Sequence, residues 1–390
     1  MSFYNNHYYH FNKISLCIIG QWPFQSRLKN NVMFALTLIF TCSLIGLEFW
    51  GFVTGATDLE IIMDNLSPMF LDLVTVVKLI MFSFYKYEVK QLLIQIEEVW
   101  KLLGEGPENE ILQRHGEQSK IYTSRYAIGL YLSGIFYLTP PVITSGINMF
   151  LSTNETQPPR FLYRLEHVLD VDKYYNLLMV HTFISIFGIV AIATAVDGMF
   201  IFCIEHICAL FNCAKYNMAR IQSSELILLN PSIADDEAYH NIIRCIQLHT
   251  RILKFFDLLS SVYSTIFMTV VGSVIICLSL GAAEFVMVDT NFIESVRILA
   301  ANSAESIHIY VMSYICQRLI NYSSEFQDVI YNCNWYKISL RSRQLLRFTL
   351  MRAFKPCQIR AGNVFVVSME TFGSLLKMTV SYFTMLTSLQ

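Results

Sequence analysis

Charged residues are scarce in this sequence, and their scarcity excludes an ordinary soluble domain. Asp, Glu, Lys and Arg make up 15% of the 390 residues, whereas a soluble globular domain carries roughly 25%. Hydrophobic residues make up 54%, and they are clustered in long runs, which a soluble core does not need. The formal net charge of -2 gives no reason to expect a nucleic-acid partner. The composition therefore predicts an integral membrane protein.

Signals for secretion and for enzymatic chemistry are also missing. The segment before Val32 is polar and aromatic and has no secretory signal peptide, so we expect the first apolar run to stay as a membrane anchor. No nucleophile elbow, phosphate-binding loop or metal-binding motif is present, so we expect neither an enzyme nor a cofactor. The spacing of Cys203, Cys208 and Cys213 spreads these thiols around a helix, which disfavours a metal site.

Seven stretches are apolar and long enough to cross a membrane, since a spanning helix needs roughly 20 mostly apolar residues. These predicted segments are 32–53, 66–85, 125–150, 175–204, 259–286, 298–317 and 361–387. The second and sixth are interrupted by ionisable side chains, namely Asp72, Lys78, Glu305 and His308. The sequence thus predicts an all-α, polytopic membrane protein with seven transmembrane helices.

The distribution of basic residues predicts the orientation of these helices. Cytoplasmic loops are enriched in Lys and Arg, and a cytoplasmic N-terminus places most of the 28 basic residues on the cytoplasmic side. The glycosylation sequon at Asn154 then falls in the longest outer loop, and no cysteine lies in a predicted outer loop. We therefore predict a cytoplasmic N-terminus and an extracellular C-terminus.

The end of the sequence carries a family motif. It combines Tyr331-x-x-x-Trp335-Tyr336 with the stretches 351–356, 361–377 and 381–386. This segment resembles the C-terminal signature of insect odorant receptors, and the chain length and seven-helix plan also fit that family. The related gustatory receptors end in a Thr-Tyr and Gln-Phe motif, which the residues after Tyr382 do not match.

The resemblance implies a ligand-selective subunit of an odorant-gated, non-selective cation channel. Such a subunit forms a heterotetramer with the odorant receptor co-receptor in the plasma membrane of an olfactory neuron dendrite. The loop after the fourth segment is much shorter than that of the co-receptor itself, which favours the ligand-selective subunit. The alternatives are a gustatory-type chemoreceptor channel and, less favoured, a G-protein-coupled receptor. The latter would have an outer N-terminus and the Asp-Arg-Tyr and Asn-Pro-x-x-Tyr motifs, which are absent.

This interpretation divides the chain into regions with different roles. They are a cytoplasmic N-terminal segment (1–31), helices one to four (32–204) with an outer-loop segment (151–174), a cytoplasmic loop (205–258), helices five and six (259–317), a cytoplasmic anchor segment (318–360) and a pore-lining seventh helix (361–390). Within the anchor, 338–355 reads as a basic amphipathic helix. Such a helix either lies on the membrane surface or packs where subunits meet.

The seventh segment has a stripe of small hydroxyl and apolar side chains at steps of three and four residues. Such a stripe suits a weakly selective pore that closes by dewetting, although it also suits a helix-packing face. The resemblance makes this helix the pore and places the gate at its end. The candidate pore and gate residues are Ser374, Met378, Ser381, Met385, Ser388 and Leu389. Glu370 and Lys377 lie seven residues apart on one face, and we expect a structural ion pair between them or across subunits.

A ligand pocket is implied by the resemblance in the outer half of the bundle. The candidate ligand-binding residues are Met69, Leu73, Val77, Tyr137, Thr144, His181, Ser185, Asn302, Ser306 and Tyr310. Each of them can instead be an ordinary core residue, and Glu305 and His308 are close enough in sequence to pair with each other. Since no candidate stripe offers a fixed charge, we expect a neutral, small apolar odorant or pheromone. The expected partners are this ligand, the co-receptor and membrane lipid.

Overall fold

The fold consists of long α-helices and one short β-hairpin. The structure is a computed structural model and describes residues 3–54, 59–104, 106–150, 171–221, 232–233, 236–287, 292–362 and 364–388. Its helices are α1 (His10–Ile18), α2 (Arg27–Thr54), α3 (Leu59–Phe84), α4 (Lys86–Leu102), α5 (Pro107–Phe150), α6 (Val171–Ala219), α7 (Glu237–Met287), α8 (Phe292–Asn332), α9 (Leu340–Ala353) and α10 (Met369–Ser388). The hairpin pairs β1 (Arg360–Ala361) with β2 (Phe365–Val366) in antiparallel register. The prediction of an all-α fold is confirmed.

Four helical stretches among the described residues are long and apolar enough to span a membrane. They are Arg27–Val53, Asn65–Phe84, Lys173–Ala219 and Glu237–Phe285. These stretches contain the first and fourth predicted segments and all but the last residue of the second and fifth. The third and sixth lie within α5 and α8, and the seventh overlaps α10. The orientation stays a prediction, and Asn154 lies outside the described residues.

Helices α5 to α8 are far longer than the predicted segments. They contain 44, 49, 51 and 41 residues, and at about 1.5 Å per residue each is roughly 60–75 Å long. That is about twice the ~30 Å hydrocarbon core. The regions predicted as loops after the second, fourth and sixth segments are therefore largely helical extensions of the bundle. Hydropathy could not predict these helical extensions, because they pack on one another outside the hydrocarbon core of the membrane.

Helix α6 lies at the centre of the bundle. Every residue from Thr194 to Phe211 is buried, and α6 packs against α5, α7 and α8. The N-terminal segment folds onto the same core: Tyr4 donates a 2.5 Å hydrogen bond to the carbonyl of Leu93, and the Tyr9 ring lies 4.9 Å from that of Phe202. A helix that is apolar on all faces is expected to be surrounded by others.

The hairpin attaches the last helix to the bundle. The Gly362 amide donates a 2.9 Å hydrogen bond to the carbonyl of Ser264 on α7, and Gly362 has a φ of +57°, which favours glycine. Helix α10 begins only at Met369, whereas the seventh predicted segment begins at 361, because the hairpin occupies the intervening residues. From there α10 packs along α7 and α8, with Leu375 buried.

Candidate ligand cavity and pore helix

A cavity of about 140 Å³ lies between α3, α5, α6, α7 and α8. That is roughly ten times the space that one water molecule requires, so a small organic molecule can fit. Most of its wall is apolar, as is typical of small-molecule sites. The apolar wall includes Leu71, Val74, Leu130, Ile186, Ile189, Val190, Val270 and Ile298.

One part of the wall is a buried ionic cluster centred on Asp197 of α6. The Lys78 ammonium lies 2.5 Å from Asp197 Oδ1, and Tyr126 donates a 2.7 Å hydrogen bond to Asp197 Oδ2. His308 Nδ1 lies 3.2 Å from Asp197 Oδ2 and 2.8 Å from the Tyr126 hydroxyl. Lys78, Tyr126 and His308 line the cavity. Burial of an unpaired charge is costly, and here each buried charge has a partner on another helix, so the cluster joins α3, α5, α6 and α8. The partner of His308 is Asp197 and not Glu305.

A second ion pair lies on the wall between α7 and α8. Arg297 Nη2 lies 3.0 Å from Glu284 Oε1, and both side chains are buried. Two further carboxyl groups line the cavity, Asp72 on α3 and Glu305 on α8. The wall is therefore more charged than the predicted pocket, for which the sequence indicated no fixed charge.

Two of the ten predicted ligand-binding residues, Tyr137 and Asn302, line the cavity. The predicted face of α3, with Met69, Leu73 and Val77, is turned away from it, and Leu73 is 43% exposed. Neighbouring positions on α3 line the cavity instead, and they are Ser67, Pro68, Leu71, Asp72, Val74, Thr75 and Lys78. The structure thus turns the more polar face of α3 inward.

The remaining predicted residues lie elsewhere. His181 Nε2 lies 2.7 Å from Ser43 Oγ, and Ser185 donates a 2.9 Å hydrogen bond to the carbonyl of Phe40, so both contact α2. Ser306 is outside the cavity lining, and the Tyr310 ring contacts α10 edge-to-face, as described below. The side chain of Thr144 lies outside the described residues.

Sequence reasoning missed the charged residues of the wall as a site. Asp72, Lys78, Glu305 and His308 are the side chains that interrupt the second and sixth apolar segments. Ionisable residues within membrane segments usually face the bundle interior and mark functional positions. That signal was therefore present in the sequence, but Asp197, which joins two of these groups, Lys78 and His308, comes from a different helix.

Helix α10 leaves most of its predicted pore face exposed in the single chain. Ser374, Ser381, Met385 and Ser388 are exposed, and Met378 is half-buried. Leu389 lies outside the described residues. The opposite side of α10 contacts the bundle: the Phe372 ring lies 5.7 Å from that of Tyr310 on α8.

The charged side chains of α10 do not form the expected ion pair within the chain. Glu370 and Lys377 are both exposed, and no ion pair joins them in the part of the chain that the structure describes. The exposed hydroxyl groups and charges make this face unlike a surface adapted to lipid alone.

A family model described as 7tm Odorant receptor matches residues 58–380 of the chain. The chain belongs to this odorant receptor family. One relative, Odorant receptor 9a of Drosophila melanogaster, is 24% identical over 353 residues, which cover 85% of this chain and 82% of the relative. Odorant receptor 13a of the same fly is 22% identical over 357 residues, covering 86% and 82% of the two chains.

Solved structures support the same fold for this odorant receptor. The insect olfactory receptor OR5 from Machilis hrabei in complex with eugenol superimposes with a TM-score of 0.79 over 98% of this chain and 97% of that chain, at 13% sequence identity. A second structure of OR5 gives a TM-score of 0.75 over 99% of this chain. At this identity the likeness establishes the fold alone.

The parts of α5, α6 and α8 that extend beyond the predicted membrane segments contain their own buried polar cluster. Arg318 of α8 makes a two-point contact with Glu205 of α6, at 2.8 and 3.1 Å, and His115 of α5 lies 3.0 Å from the same carboxylate. Burial lowers the pKa of Arg318, but the hydrogen bonds from its guanidinium to Glu205 outweigh burial and raise it. Nearby, burial and the charge of His115 lower the pKa of His206 to about 3, so this imidazole is neutral at physiological pH.

Proposed function

We propose that this odorant receptor is the ligand-selective subunit of an odorant-gated, non-selective cation channel, and that it assembles with the odorant receptor co-receptor in the plasma membrane. The observation that carries this proposal is the arrangement of two features in one chain. A mostly apolar cavity lies within the bundle, and a helix with an exposed hydroxyl-rich face is attached beside it. Helices α7 and α8 line the cavity and also carry α10.

The exposed face of α10 requires other subunits if it is to enclose a pore. A single helix cannot surround an ion path, whereas the same face repeated around a symmetry axis can. Serine hydroxyls along the path suit hydrated cations without strong selection, and Met385, with 57% of its surface exposed, can narrow the path hydrophobically. In a mixed tetramer the co-receptor supplies the remaining faces.

A small ligand can supply enough energy to open such a channel. Moving a two-state equilibrium from 1:99 to 99:1 requires about 5.5 kcal/mol of differential affinity. Small ligands gain about 0.3–1.5 kcal/mol per heavy atom, so a molecule of roughly ten heavy atoms is sufficient. The ligand must fit the open-state cavity better than the closed one, since equal binding shifts nothing.

The experiment is to record whole-cell currents from cells that express the chain with and without an insect co-receptor, across a panel of volatile odorants. We expect odorant-evoked, poorly selective cation currents only when both chains are present, and a response profile that differs from that of the co-receptor alone. Currents from this chain alone would favour a self-sufficient channel of the gustatory type. If the chain reaches the cell surface with the co-receptor and no odorant of any class evokes current, the proposed function is wrong.

A further inference from the structure

The cavity wall carries more carboxyl groups than its own basic groups neutralise. Lys78 and His308 are both paired with Asp197, and Arg297 is paired with Glu284. Asp72 and Glu305 remain, and neither forms an ion pair with a basic side chain within the described ranges. The wall is thus left with acceptors that no protein cation satisfies.

Asp72 presents an unfilled acceptor to the cavity. Its side chain is deeply buried, with 5% of the residue exposed, and its Oδ2 atom has no hydrogen-bond partner in the described part of the chain. The neighbouring Glu48 of α2 is itself a buried carboxyl group, so it supplies no positive charge to the site.

Glu305 on α8 presents a second acceptor to the cavity. It lies three residues before His308 on α8 and within electrostatic range of Lys78, but both of these basic groups contact Asp197 directly. Asp72, Glu305 and Cys277 of α7 all line this one cavity. A carboxylate in a poorly solvated site is costly unless a cation or strong donor pairs with it.

We infer that this cavity selects small apolar amines, whose protonated nitrogen binds the carboxyl groups of Asp72 and Glu305 while the hydrocarbon body packs against the apolar wall. The inference rests on the proposed function and deepens it, and it replaces the neutral ligand expected from the sequence. An ammonium group neutralises the wall and forms charge-assisted hydrogen bonds, which are stronger than those of a neutral donor. An alcohol of equal length fills the same space but brings no cation to these carboxyl groups.

Binding to the purified full-length chain is the direct test. The probes are hexan-1-amine, hexan-1-ol and heptane, which have equal length but differ in charge and hydrogen bonding, and the readout is the ligand-dependent shift of the thermal unfolding midpoint in detergent micelles. We expect the amine to bind at least about tenfold more tightly than the alcohol, which corresponds to about 1.4 kcal/mol. Equal binding of amine and alcohol to the unmodified chain would overturn the inference.

Variants then test which residues are responsible. Glu305→Gln should weaken amine binding by about tenfold or more and leave alcohol binding within about threefold, and Asp72→Asn should have the same selective effect. The matched control is Glu325→Gln, the same change on the same helix but at an exposed acid paired with Lys215 outside the cavity, which should leave the amine preference intact. Unchanged amine affinity in both cavity variants would contradict the inference, and if one variant does not fold, the other decides.

Current recordings with the co-receptor separate this inference from the proposed function. If alcohols or esters open the channel but amines have no advantage in binding or current, the ligand class is wrong and the channel function stands. If hexan-1-amine binds through Glu305 but no odorant of any class evokes current, the ligand class stands and the channel function is wrong. Amine-preferring currents that Glu305→Gln converts to alcohol-preferring ones support both.

Discussion

The ring of Tyr310 on α8 lies 5.7 Å from the ring of Phe372 on α10, at an interplanar angle of 68°. Helix α8 lines the cavity through Asn302, Glu305 and His308, so this edge-to-face contact lies between the candidate ligand site and the candidate pore helix. We therefore expect a shift of α8 to be transmitted to α10 through this contact.

Loss of this contact should change gating for all agonists together. Such a ring pair is worth about 0.5–1.5 kcal/mol beyond its buried area, so Tyr310→Ala should shift the ratio of open to closed channels by roughly two- to tenfold. We expect basal or maximal current to change in the same proportion for every agonist, with unchanged rank order of potency. The effect should be non-additive with Phe372→Ala in a double-mutant cycle, and Tyr331→Ala, at an exposed tyrosine of α8, is the control. A reordered agonist ranking would instead return Tyr310 to the role of ligand contact.

The exposed end of α10 should control ion flow. Met385→Ala removes a large apolar side chain of the predicted gate and should raise basal current or alter relative ion permeability when the chain is expressed with the co-receptor. The effect will be partial, because co-receptor subunits keep their own gate residues. Val380→Ala, an equally exposed position on another face of α10, is the matched control. If conductance, permeability and basal current are unchanged in Met385→Ala and in Leu389→Ala, α10 packs against neighbours rather than conducting.

The orientation can be tested by glycosylation and by tags. Asn154→Gln should remove a glycan and increase the gel mobility of the protein, because we predict this position to be outside the cell. Asn321→Gln, at a second sequon that we predict to be cytoplasmic, should leave mobility unchanged. Tags at residues 2 and 390 should be accessible from the cytoplasm and from outside, respectively. An N-terminal tag that is accessible from outside intact cells would reverse the predicted topology.

Loss of one partner of the ion pair between Lys78 and Asp197 should destabilise the protein more than loss of both partners. Removing one partner of a buried pair typically costs about 3–5 kcal/mol, because it leaves the other charge unpaired. Lys78→Met should therefore lower surface expression and the thermal unfolding midpoint sharply. The double variant with Asp197→Asn should recover much of that loss, and Lys377→Met, at an exposed lysine, is the control. Equal losses in the single and double variants would show that the charge itself is not what destabilises the protein.

His206, which is buried in the part of α6 beyond the predicted membrane segment, should make the stability of the protein depend on pH. The pKa of His206 falls from about 6.5 in the unfolded chain to about 3 in the folded one. Its neutral form therefore contributes stability that is complete above about pH 6.5 and is lost as the pH falls towards 3, by up to about 1.4 kcal/mol per pH unit. His206→Gln should show a smaller fall of the thermal midpoint between about pH 7 and about pH 5 than the parent chain. His10→Gln, at an exposed position, should match the parent, and an identical pH dependence in His206→Gln would contradict the prediction.

The sequence by itself determined the helical membrane class and the family. Long apolar runs require helices, because a membrane offers no partner for free backbone groups, and the C-terminal motif from Tyr331 onward indicates odorant receptors. The basic helix predicted at 338–355 appears as Leu340–Ala353, with Ser339 accepting a hydrogen bond from the Ser342 amide at its start. These features are local, since each depends on residues that are neighbours in the chain.

Only the tertiary structure decided which residues share a site. The rotation of α3 about its axis turns Asp72 and Lys78 towards the cavity and Leu73 away from it, and this rotation is set by packing against α6 and α7. Asp197 joins Lys78 and His308 although these residues lie 119 and 111 positions from it in the chain. Hydropathy counts such charges as interruptions of a span, whereas in the folded bundle they are each other's partners, because buried charges in a poorly solvated interior must be paired.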